Sequence, residues 1–161
     1  MNDPLKKSLS MGAICAAIGA VTGTLLVATA TGSGYTWFLL AAPIAAFLTG
    51  TALWWLFLAR RARYSTGLGV LTGALAGALA HYVCWCLVLL GAATCHGLTG
   101  GCTDSLGEAP MNVVQAVAAA GLYSLFSLLF FGWLTVPGGA IVGGFLARTQ
   151  RRATGLPAEP S

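Results

Sequence analysis

Three stretches of this chain contain no Asp, Glu, Lys or Arg: residues 8–59, 64–103 and 109–147. Nothing else in the sequence narrows the fold as far. Soluble domains carry about 25% charged residues to cover their surface. Here the charged share is 7% and the hydrophobic share 57%. Residues 1–161 are therefore expected to form one integral membrane domain.

A helix needs about 20 apolar residues to cross the hydrocarbon core. The first run is long enough for two crossings, and "TATGSGYT" (29–36) supplies the turn between them. The first three spans are expected at about 9–29, 36–59 and 66–93. The run 109–147 would be roughly 58 Å long as a helix, against a core of about 30 Å. Splitting it in two would strand Arg148, Arg151 and Arg152 on the side opposite the other basic residues. It would also leave the last crossing too short. One span at about 115–147 is the better reading, with an outer loop at 94–110 and a first turn that projects past the bilayer. Pro110 suits a first helical turn, and Asn112 and Gln115 would share one face there.

The fold class is thus all-α: four transmembrane helices in an up-down bundle. All eight basic residues fall in the N-terminal tail, the middle loop or the C-terminal tail. The positive-inside rule then makes both termini cytoplasmic. Abundant Ala and Gly, with Arg favoured over Lys, fit a GC-rich bacterium and hence its inner (plasma) membrane. The net charge of +4 lies beside spans, so it reads as topology and implies no nucleic acid. The expected partners are the lipid bilayer and other membrane proteins, or a second copy in a homo-oligomer.

Lys6, Lys7, an apolar run and "ATA" (28–30) also resemble a signal peptide. Its apolar part would exceed the usual length of about 7–15 residues. A discarded segment would also have no use for the Gly19-x-x-x-Gly23 packing motif, so an uncleaved first span is expected.

Lipid tails supply no hydrophobic force between helices, so close backbone approach has to hold them together. GxxxG spacing places Gly19 and Gly23 on one face of the first span, Gly69, Gly73 and Gly77 on the third, and Gly139 and Gly143 on the fourth. These faces predict a bundle pinched at its cytoplasmic side, with the first, third and fourth spans in contact. They also suit a homodimer face. The second span is bulky at that end, where Trp54 and Trp55 are expected as interface anchors. "GAVTG" (19–23) and "GALAG" (73–77) echo each other, as do "FLARRAR" (57–63) and "FLARTQRR" (145–152), which hints at a parallel repeat. Pro43 and Pro137 fall inside spans and are expected to kink them.

Of the five cysteines, Cys95 and Cys102 bracket a glycine-rich outer loop and are expected to form a disulfide. "HYVCWC" (81–86) looks like a chelating or redox motif. On a helix, however, Cys84 and Cys86 lie about 200° apart and cannot share a metal. His81 and Cys84 alone are too few ligands for a closed site, so neither metal nor cofactor is expected. His81 lies near the bilayer midplane, where an ionisable side chain is a candidate functional group. With Tyr82, Trp85 and Tyr123 it could line a pathway or pocket, fill a dry core or face lipid.

Phosphate-binding loops, HExxH and GxSxG are absent, so no enzyme is expected. The preferred function is non-enzymatic, through contacts with other membrane proteins: an accessory subunit, an immunity or exclusion protein, or an assembly factor. The alternatives are a small oligomeric transporter or channel using His81, and a membrane thiol-redox protein. The last lacks a Cys-x-x-Cys pair near the outer surface.

Overall fold

The structure, a computed structural model, describes residues 4–30, 33–62, 64–103 and 108–153. Part of the first turn (Thr31, Gly32), Arg63 and loop residues 104–107 lie outside these. The described residues form four long helices: α1 (Pro4–Thr29), α2 (Phe38–Trp54), α3 (Thr66–Thr99) and α4 (Val113–Ala153). Including the short turns that flank α2, each is long and apolar enough to cross a membrane. A 3₁₀ turn, Ser33–Trp37, leads into α2, and a π turn, Trp55–Ala59, continues it.

Local chemistry sets the helix ends. The Ser65 hydroxyl accepts from the Leu68 N–H at 3.2 Å and caps α3. Asn112 and Gln115 cap α4 reciprocally. The Gln115 N–H donates to Asn112 Oδ1 at 2.9 Å, and the Asn112 N–H donates to Gln115 Oε1 at 3.3 Å. Pro110 therefore precedes the helix instead of opening it, because Asn112 supplies the better cap. On the other side of the same loop, α3 continues past position 93 to Thr99. It stops where Gly100 turns left-handed (φ 68°) and bonds back to the His96 carbonyl at 2.8 Å.

Neighbouring helices run antiparallel, α1 on α2 on α3 on α4. Gln150 Nε2 reaches the Lys7 carbonyl at 3.4 Å, which brings the start of α1 beside the end of α4. The start of α1 and the end of α4 thus lie at one end, called here the basic end. The disulfide lies at the other. Buried Thr and Ser hydroxyls mostly bond back to their own helix, as Thr22 does to the Ile18 carbonyl at 2.9 Å. Hydrocarbon offers them no water, so the preceding turn takes the proton. Pro43 and Pro137 both sit inside helices that continue through them.

The glycines pair differently from the pinched bundle expected above. A Cβ on Gly19 would lie 2.7 Å from the Ala42 carbonyl oxygen, and one on Gly23 would lie 2.7 Å from that of Phe38. The α1 glycines therefore seat α2, not α3 or α4. In the second hairpin, a Cβ on Gly69 would meet the Gly143 oxygen and the Ala147 Cβ, both at 2.5 Å. One on Gly73 would collide with the Gly139 carbonyl, and one on Gly77 with that of Thr135. Each glycine seam lies within one hairpin, α1 with α2 and α3 with α4. α1 and α4 touch least of the four neighbouring pairs.

Trp54 also departs from expectation. It is fully buried, and its indole Nε1 donates to Gln150 Oε1 at 3.2 Å. It ends α2 on that helix's core face, and in the π turn that follows, closed by Arg60 N–H to the Trp55 carbonyl at 2.9 Å, Leu58 and Ala59 are buried in the same cluster. Trp55 stays exposed, with the Arg60 guanidinium 5.7 Å from its ring.

Candidate functional site

The seams draw α1 toward α2 and α3 toward α4, and they leave a gap between the two hairpins. A cavity of about 290 Å³ occupies it, lined by all four helices. Cys15, Ala46 and Gly139 form its floor toward the basic end. Toward the disulfide end it is roofed by an aromatic row. Tyr35 stands 6.2 Å from Phe38, which meets Trp85 edge-on at 4.9 Å, and Trp85 lies 4.9 Å from Tyr123. The row crosses α2, α3 and α4 but does not reach α1. On that side the wall includes Phe126 and Phe130, which are 54% and 69% exposed. The cavity thus opens sideways between α1 and α4, toward lipid.

The wall is apolar apart from a few groups, and among the described residues no Asp, Glu, Lys or Arg contributes to it. His81 is its polar centre, only 7% exposed. Its Nδ1 lies 2.5 Å from Ser127 Oγ and its Nε2 2.8 Å from Thr135 Oγ1. The Thr135 hydroxyl donates to the Phe131 carbonyl at 3.2 Å. Thr135 must then accept from His81 Nε2–H, which leaves Nδ1 to accept the Ser127 proton. This tautomer makes three hydrogen bonds. The other would make two, because Thr135 would have to abandon Phe131. In this arrangement both ring nitrogens have a partner.

His81, Trp85 and Tyr123 all lie on the cavity wall, while Tyr82 points elsewhere on α3 and does not line it. Cys84 lines the cavity and Cys86 does not, as their angular separation requires. Trp85 has a further property: its indole N–H is buried without a hydrogen-bond partner. Ser127 and Thr135 were not singled out in the sequence. The available signal was two hydroxyls in the otherwise apolar run "FSLLFFGWLT" (126–135). Small polar residues in such runs commonly bond across helices.

Cys95 and Cys102 are joined in a disulfide, with Cα atoms 6.0 Å apart. His96 beside them bonds through Nδ1 to the Gly101 carbonyl at 2.9 Å. Among the described residues, no group of three His, Cys, Asp or Glu side chains could hold a metal. The fold and site define a membrane protein of four long apolar helices with a cavity between its two hairpins. No protein family, curated protein or solved structure matches this chain.

Proposed function

We propose that this chain is a non-enzymatic protein of the bacterial inner membrane, with both termini cytoplasmic, that holds a lipid-soluble molecule beside His81. It serves other membrane proteins as a ligand-holding accessory subunit. The observation that carries this reading is a cavity closed by a floor and an aromatic roof, apolar almost throughout, and open on the side facing lipid. A ligand for such a site arrives through the bilayer, and apolar walls with a few placed polar groups suit it. The positions of the basic residues support the orientation.

Extraction of protein purified in mild detergent, followed by mass spectrometry, tests the proposal. One lipophile should be present at about one per chain. It should be depleted in Ala80→Phe, which fills the cavity. Equal lipid content in the two proteins would refute a specific occupant.

Passage of a solute past His81 is the second reading, favoured by the inward direction of that side chain. Liposome flux compared between wild type and His81→Ala separates it from simple holding. Thiol-redox chemistry is disfavoured. Cys84 at the cavity and Cys95 in the disulfide lie on one continuous helix, about 16 Å apart along its axis.

A further inference from the structure

The hydrogen-bond network beside the cavity also constrains what occupies it, and this step rests on the proposed binding role. We infer that the ligand is uncharged and presents a hydroxyl, as an alcohol or a phenol, to Ser127. The polar groups around His81 have already committed their protons. The Ser127 hydroxyl gives its proton to His81 Nδ1 and His81 Nε2–H goes to Thr135. Thr135 in turn donates to the Phe131 carbonyl. The lone pairs of Ser127 remain, and Ser127 lines the cavity. An occupant therefore meets an acceptor there and must bring a donor. A ketone, ether or ester offers only acceptors and would set acceptor against acceptor at Ser127, an unfavourable arrangement away from water.

Charge narrows the class further. With no acidic or basic side chain on the wall, neither a phosphate nor an ammonium would find a counter-ion, and an unpaired charge is too costly at this depth.

Size fits a ring system. A cavity of about 150 Å³ holds one benzene, so 290 Å³ takes a head of roughly two fused rings. Any tail leaves between α1 and α4.

Equilibrium dialysis against nanodisc-reconstituted protein tests this, with empty nanodiscs subtracted for partitioning. The probes are 2-naphthol, 2-methoxynaphthalene and naphthalene at pH 8, well above the usual imidazole pKa of about 6.5. Naphthol should bind saturably and about fivefold tighter than the ether, the net worth of one hydrogen bond. Ser127→Ala should bring that ratio to about one and leave naphthalene binding unchanged, which also reports an intact cavity. If naphthol and ether bind equally, or the preference survives Ser127→Ala, the hydroxyl inference fails while the binding role stands. If no probe saturates above empty nanodiscs, both fail.

Discussion

The α3–α4 seam should tolerate no side chain, and Gly73→Ala is the sharpest test. The added methyl would lie 2.7 Å from the Gly139 carbonyl carbon and closer still to its oxygen. Ordinary contact for such a carbon begins at 3.4 Å, so the backbones must part by about 1 Å. Gly139 is itself helical backbone and has no rotamer to change. A gap of that size forfeits a quarter to a half of the dispersion energy of each facing atom pair. In lipid, that dispersion is most of what joins two helices. Overpacking of this kind costs about 1–3 kcal/mol, and the rigid carbonyl puts Gly73→Ala at the upper end. Gly91→Ala on the same helix is the reference, because a Cβ there meets nothing within 4 Å. Thermal melts in detergent, followed by circular dichroism and by retention of a monodisperse peak, should show Gly73→Ala clearly destabilised and Gly91→Ala unchanged or slightly improved. Indistinguishable melts would refute the seam.

Gln150→Leu should cost about 1–3 kcal/mol, since it leaves the buried Trp54 N–H without its acceptor; adding Trp54→Phe should recover part of the loss in a double-mutant cycle. Denatured, unreduced protein should expose the three thiols of Cys15, Cys84 and Cys86, and reduction should raise the count to five. A count of five before reduction would exclude the disulfide. Asn112→Ala removes the cap of α4 and should cost about 1 kcal/mol locally, seen as faster hydrogen exchange over residues 113–117 with the overall melt unchanged.

Much of this architecture was legible because lipid imposes simple demands. Charge-free runs of spanning length and a glycine-rich loop between two cysteines point to their structures without tertiary knowledge. Partner choice is another matter. Gly19 and Gly23 announce a face that accepts a close neighbour, but the spacing does not say which neighbour. Trp54 read as an interface anchor because the helix rotation that buries it and exposes Trp55 leaves no mark in "LWWLFLA" (53–59). His81 stood out as the ionisable group in its span. Its partners Ser127 and Thr135 lie on α4, and only the α3–α4 pairing brings them to the imidazole. Tyr82 and Trp85 were equal candidates in sequence, and helix rotation alone separates them.

The confinement of each glycine seam to one hairpin bears on how the chain is made. α1 and α2 have all they need to close on each other before α3 has left the ribosome, and α3 and α4 can do the same afterwards. Contacts between near neighbours in sequence form early, because little loop entropy opposes them. The cavity belongs to neither unit and comes into being only when two finished hairpins meet. Nascent chains ending near residue 100 should therefore already give an α1–α2 crosslink between Cys15 and a cysteine introduced at Gly50, which lies against it. A seam that waits for α4 would show that the bundle assembles as a whole.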